Sequence, residues 1–276
     1  MSAAKGMKLN MNDKKPIYIS MFSGGAASAY VAYLMVQKHG KDNSILFFTD
    51  TLWEHKDNKR FMVEVAEEIG IDIVTVRDGR TPEEVFEETR FLGNSRLAKC
   101  SSELKVRKTM IYLEDLRDEG YEPILYFGIG KHEKRRREGI EALYGHFPLG
   151  EPIKTVFPLY ESNISDDEIK EIITKEWKIQ LPEMYHLGFS HANCGGRCVR
   201  GGFNHYKHLY ETWPDVYIEQ EEMEKKLRSQ LGDVTILKRD GKPFTLEEYR
   251  QELDKDSEIV KKLVEENDVP CVCHYA

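Results

Sequence analysis

Residues 17–28 read Ile-Tyr-Ile-Ser-Met-Phe-Ser-Gly-Gly-Ala-Ala-Ser, an apolar strand that runs into a glycine turn and then a helix. Gly24 and Gly25 can adopt backbone angles closed to other residues and put no Cβ between main chain and ligand. A helix from Ser28 to about Lys38 aims its free N–H groups and positive dipole end at the same spot. The hydroxyls of Ser23 and Ser28 flank the turn as further donors. Such a turn is an anion cradle suited to phosphate. It matches neither the Walker nor the Rossmann glycine pattern.

Strand and helix patterns alternate through the first half of the chain. Strands are expected at Ile17–Phe22, Ser44–Phe48, Ile71–Val76 and Ile124–Phe127. Helices are expected over Asp57–Ile69, from Pro82, and over Glu103–Glu119. Gly70 and Gly120 close two of these helices, and Glu83 and Glu84 suit the first turn of another. The alternation predicts an α/β fold with a parallel, doubly wound sheet. Ligands in such sheets sit at the carboxyl ends of strands, where Ser23, Asp50 and Gly128 fall.

Three regions are expected: a loose polar N-terminus (1–15), a nucleotide-binding core (16–160) and a Cys-rich C-terminal extension (161–276). Capping boxes at Ser165–Glu168 and Thr245–Glu248 start helices in the extension. A loop rich in Gly, His and Cys spans 185–205, followed by a helix near Glu219–Gln230, a strand at Val234–Leu237 and a turn at Asp240-Gly241.

The residues that bear chemistry fall into several groups. Cys194-Gly-Gly-Arg-Cys198 and Cys271-Val-Cys273 are two close thiol pairs, read as ligands of one metal centre. Their spacings fit neither a zinc ribbon nor a ferredoxin run, and free thiols are the alternative. His191, His205 and His208 lie nearby and read as surface residues. Cys100 precedes the helix beginning near Glu103, where the dipole with Lys99 and Lys105 favours thiolate; it reads as nucleophile or ligand. The stretch 131–137 holds five cations in seven residues, and its place after a strand end opens it over the nucleotide site. Arg forks there bind phosphate bidentately. Asp50 is a candidate for magnesium or ribose, and Trp53 and Phe91 for stacking on a base.

The Ser23–Ser28 turn resembles the PP-loop of the adenine nucleotide alpha-hydrolase superfamily. Other segments narrow the likeness to phosphoadenylylsulfate (PAPS) reductases: Asp50-Thr51, Cys100 to Val106, Gly128 with Glu133 and Arg136, and Gly188-Phe189 leading to Cys194 and Cys198. The tail with Cys271 and Cys273 looks more like a bacterial and phage branch of that family. The resemblance covers residues 16–200 and implies an adenine nucleotide ligand, either ATP or a PAPS/APS-type compound. Ser23, Gly24, Gly25, Ser28, Asp50, Lys105, Gly128, Glu133 and Arg136 would bind it, with Cys100 and Asp50 catalytic. It implies a [4Fe–4S] cluster at the cysteines, with zinc as the alternative. The partner would be a sulfur donor or thiol reductant.

Two reactions fit: reduction of an adenylylated sulfate, or adenylation by ATP for sulfur transfer. Ala26 and Ala27 stand where many PP-loops carry Lys and Asp, which removes the charge that would hold magnesium and the β- and γ-phosphates. A nucleotide-sensing module with a structural metal is the rival reading. The net charge of −8 speaks against a general nucleic-acid binder and gives no support to an RNA partner, though a local basic patch could still grip one nucleotide or RNA. No stretch approaches the roughly 20 apolar residues of a membrane span. The N-terminal residues lack a secretory pattern, so a cytoplasmic protein, weakly held as a homo-oligomer, is expected.

Overall fold

The computed structural model describes residues 14–92, 99–146, 150–255, 260, 263 and 264. Five parallel strands form the central sheet in the order β3-β2-β1-β4-β5. They are β1 (Lys15–Met21), β2 (Ser44–Asp50), β3 (Ile73–Arg77), β4 (Tyr121–Tyr126) and β5 (Lys154–Val156). From β1 the chain first winds outward to β2 and β3, then returns to place β4 on the other flank. This reversal opens a crevice between the carboxyl ends of β1 and β4. The expected α/β fold with its parallel sheet is what the chain adopts.

Successive strand residues feed opposite faces. Leu46 and Phe48 join α1 (Ala26–His39) and α2 (Lys56–Ile69) in one core. Ile17, Ile19, Phe47 and Leu125 join α4 (Arg107–Asp118) and α5 (Lys134–Gly145) in the other. In α2, Phe61, Met62, Val65, Ala66 and Ile69 form a helical stripe onto the first core, and Gly70 ends the helix in the left-handed conformation. The capping box Thr81/Glu84 opens α3 (Pro82–Thr89).

The chain beyond β5 divides by packing. Leu159 of α6 (Pro158–Glu161), Ile169 of α7 (Asp166–Glu171) and then Ile173 and Ile179 join the α1/α2 core. A third core gathers around α9 (Phe203–Thr212), α10 (Pro214–Leu231) and α11 (Leu246–Asp254) after the short α8 (Glu183–His186). Phe86 and Leu92 from the α3 region are buried in it, which ties this layer to the sheet domain. Capping boxes at Ser165/Glu168 and Thr245/Glu248 start α7 and α11 as the sequence predicts.

Several elements differ from expectation. The helix expected from Glu103 begins earlier, with Lys99 and Cys100 already helical, and passes through a π segment at Ser101–Val106 before α4. The basic run continues from a 3₁₀ turn (Lys131–Glu133) into α5 rather than staying a loop. α9 falls partly inside the expected Gly-His-Cys loop, and α10 starts at Pro214, a favoured first-turn position. The strand expected at Val234–Leu237 gives way to a hairpin of β6 (Leu237–Arg239) and β7 (Lys242–Phe244) around Asp240-Gly241. The reason is Glu224, whose carboxylate takes the N–H groups of Ile236 (2.6 Å) and Leu246 (2.7 Å). No helix among the described residues is long and apolar enough to cross a membrane.

Candidate nucleotide site

The turn between β1 and α1 depends on Gly24, whose φ of +80° suits glycine alone. A Cβ there would also collide with the side-chain amide of Asn58, a fully buried residue whose Nδ2 donates to the Ser23 carbonyl (3.3 Å). Gly25 is the N-cap of α1, with φ −92° and ψ 159°. The Ser28 hydroxyl donates back to the Gly25 carbonyl (2.8 Å), and the Ser23 hydroxyl lies 3.4 Å from that of Ser28. At the end of β4, a Cβ on Gly128 would lie 2.7 Å from the Ser28 nitrogen and 2.9 Å from the Ala27 carbonyl oxygen. The two strand ends therefore meet backbone to backbone.

A cleft of about 960 Å³ opens over this junction. Ser23, Gly25, Ala26, Ala27 and Ser28 form its floor with Gly128. Lys134, Arg135, Arg136, Lys170 and Arg200 line its walls against two carboxylates, Glu133 and Asp166. Arg136 is aimed by Glu133, which accepts from its Nη1 (2.7 Å) and holds the Gly130 N–H (3.0 Å) through its other oxygen. A floor of helix N–H groups facing a cationic wall is chemistry for a polyanion. His191 and Asn193 line the cleft too, so His191 belongs to this site and not to plain surface.

Asp50 and Lys105 sit elsewhere. Asp50 is buried, and its carboxylate accepts from Leu52 N–H (2.9 Å), Arg77 (2.6 Å) and Lys59 (3.4 Å). Burial raises its pKa, but those donors outweigh burial and hold it below the usual carboxylate range. It closes an Asx turn at the edge of the sheet and does not line the cleft. Lys105 lies under the turn, sharing a void of about 20 Å³ with Ser23, its ammonium 3.9 Å from Glu54. Trp53 packs edge-on against Phe86 in the third core.

The cysteine loop adjoins this wall. Cys194 takes a positive φ of 60°, and its N–H donates to Glu54 (3.0 Å). A hydrogen bond with Cys198, burial and the neighbouring Glu54 push its thiol well above the ordinary value. The two thiols thus adjoin as the sequence spacing suggests. Burial lowers His205 to about 4, and its Nε2 is committed to the Gly196 carbonyl (2.8 Å), as His208 is to that of Leu187 (2.7 Å). Among the described residues no three His, Cys, Asp or Glu side chains converge to hold a metal ion. Cys271 and Cys273 lie outside the described residues.

Sequence reasoning missed Glu54, Tyr185 and Arg200. Tyr185 and Arg200 line the cleft, and Glu54 joins Lys105 to the cysteine loop behind it; each is set by contacts the local sequence does not show.

Residues 17–196 match the phosphoadenosine phosphosulfate reductase domain family. No curated protein matches the chain significantly. A solved structure similar to this chain is phosphoadenylyl-sulfate (PAPS) reductase from Candida auris, crystallised as a phosphate complex. The two are 18% identical with a TM-score of 0.43, over 63% of this chain and 79% of that one. By the extent of the domain match, this chain belongs to the phosphoadenosine phosphosulfate reductase family.

Proposed function

We propose that the chain binds an adenylyl sulfate, an adenine nucleotide carrying phosphate and activated sulfate, and releases sulfite from it with a thiol reductant. The observation that carries this reading is the cleft itself, with the Gly25–Ser28 turn on its floor and Arg136 on its wall. The turn N–H groups take the nucleotide phosphate, and Arg136 neutralises the charge that grows there as the sulfate leaves.

In the first step a thiolate attacks the sulfate sulfur. A sulfur–sulfur bond forms, the bond from sulfur to the phosphate oxygen breaks, and the nucleotide departs with that electron pair. A second thiol then attacks the cysteine sulfur of the resulting thiosulfonate, giving a disulfide and free sulfite. Two thiols are oxidised as sulfate is reduced by two electrons. Cys100 and the tail cysteines Cys271 and Cys273 are the candidate nucleophiles. Cys194 is less suited, because its sulfur is paired with Cys198 in the turn that Glu54 anchors.

With Cys100 as the nucleophile, Cys194 and Cys198 are half of a four-thiolate centre that Cys271 and Cys273 complete. Either an iron–sulfur cluster or zinc suits such a donor set, and zinc would make the centre purely structural. Adenylation by ATP is less well served. Ala26 and Ala27 bring no charge to the floor, and Asp50 is held by Arg77 and Lys59 away from the cleft.

The test is to incubate the protein with 3′-phosphoadenosine 5′-phosphosulfate and a dithiol reductant of the thioredoxin type. Equal release of sulfite and adenosine 3′,5′-bisphosphate is expected. Pyrophosphate released from ATP in place of sulfite would overturn reduction in favour of adenylation. Nucleotide binding with neither product would leave a sensor.

A further inference from the structure

Tyr185 stands over the Gly-Gly turn from a segment distant in sequence. Its ring lines the cleft, and its hydroxyl oxygen accepts the Ala26 N–H at 3.3 Å. A Cβ built on Gly25 would lie 3.2 Å from the same oxygen. The hydroxyl therefore sits against the first free N–H of α1, where a cradled anion must lie. Its single proton meets no acceptor among the described residues. Burial raises its pKa, so it remains a neutral donor at physiological pH.

The placement is enforced from α2. Arg60 grips Asp57 with two bonds (2.7 and 3.0 Å) and donates to the carbonyls of Gln180 (3.1 Å) and Leu181 (3.3 Å). Asp57 in turn accepts the Glu183 N–H (2.8 Å). One helical turn, α8, then carries Tyr185 from this latch to the glycine loop. A charge-assisted pair that binds backbone on both sides leaves the segment little freedom.

We propose that the Tyr185 hydroxyl is a direct ligand of the bound nucleotide, donating its proton to a phosphate oxygen seated on the Ala27 and Ser28 N–H groups. The proposal rests on the nucleotide reading above and adds a neutral donor to a cleft whose other donors include Arg136. A donor without charge adds directional grip where guanidinium and ammonium groups already supply the field.

Tyr185→Phe removes only the oxygen. Adenosine 3′,5′-bisphosphate is titrated calorimetrically into wild type and variant, with inorganic phosphate as a second probe. The variant is expected to bind the nucleotide about ten-fold or more weakly, as befits one hydrogen bond to a charged group. Equal affinity in the two proteins overturns the assignment. If wild type binds inorganic phosphate but no nucleotide, and the variant binds phosphate more weakly, Tyr185 stands as an anion donor while the nucleotide reading falls. Binding of neither probe by wild type overturns both.

Discussion

The carboxylate of Glu54 lies 3.9 Å from the Lys105 ammonium and accepts the Cys194 N–H at 3.0 Å. One buried acid thus joins the underside of the nucleotide turn to the cysteine loop. It also accepts the Thr51 hydroxyl (3.1 Å), so its removal strands several polar groups at once. Glu54→Ala is expected to destabilise the fold by roughly 3 kcal/mol, read by guanidinium unfolding, because the Thr51 hydroxyl and the Cys194 N–H lose their acceptor and a buried carboxylate is lost beside Lys105. A change below about 1 kcal/mol would place that ammonium in water and dissolve the link.

Gly128 tests the backbone junction under the cleft. Its Cβ would meet main-chain atoms of Ala27 and Ser28, which cannot rotate away. Gly128→Ala should wedge β4 from α1, costing about 1–3 kcal/mol in stability and weakening nucleotide binding with it. Gly139 in α5 is the control, since a Cβ there meets nothing within 4 Å. Gly139→Ala should stabilise by a few tenths to about 1 kcal/mol and leave binding unchanged.

Arg136 and Glu133 form a pair that a double-mutant cycle can dissect. Arg136→Ala is expected to weaken nucleotide binding by roughly 10- to 100-fold, the worth of a charge-assisted contact. Glu133→Gln leaves the guanidinium in place but unaimed, so its effect should be smaller and should vanish in the Arg136→Ala background. Additive losses would show that Glu133 acts on the ligand by itself.

The sequence carried the fold further than the site. The β1 turn was readable because Gly24 and Gly25 follow an apolar strand and precede a helix, all within a dozen residues. Arg136 was readable because a strand end places the basic run. Tyr185 and Glu54 were not, because each acts across more than a hundred residues: Tyr185 on Ala26, Glu54 on Cys194. His205 misled for a different reason: its partner Gly196 is only nine residues away, but only the folded loop shows the ring buried against it. The extent of α5 was hidden by its composition, as four consecutive cations from Lys134 mask the one face that buries Ile140 and Tyr144. Asp50 looked available at a strand end, yet Arg77 on the neighbouring strand claims it.

Glu224 predicts how stability varies with pH. Burial pushes its carboxyl up to about 7, despite two backbone N–H donors that favour the ionised form. The unfolded group titrates near 4.5, so the folded state binds the proton more tightly between the two values. Its contribution is complete below about pH 4.5 and is lost as pH rises through about 7. Asp50, Asp57 and Asp78 are shifted the other way and stay ionised above pH 5, so they add no slope in that window. Buried His205, lowered to about 4, adds stability as pH rises through the same window. The Glu224 contribution is therefore read as the wild-type minus Glu224→Gln difference, which should fall by roughly 2–3 kcal/mol from pH 5 to pH 8. In Glu224→Gln the falling component should disappear, leaving the rise from His205, while overall stability drops because the amide nitrogen cannot accept the N–H that a carboxylate oxygen took from Ile236 or Leu246.

The last prediction concerns the thiols. Cys194 and Cys198 adjoin on a turn that Glu54 anchors, and the nearby His205 and His208 are spent on backbone carbonyls. A four-thiolate centre therefore needs two more sulfurs from elsewhere in the chain, and Cys271 and Cys273 are proposed to supply them. Truncation after Pro270 should then lower metal content and unfolding temperature together, because bound metal contributes folding free energy. Iron, sulfide and zinc are measured on anaerobically purified protein before and after truncation. Iron with sulfide identifies a cluster, and zinc alone identifies a structural centre. Full retention of metal by the truncated chain would rule out the tail, and Cys100 would become the next ligand to test by Cys100→Ser.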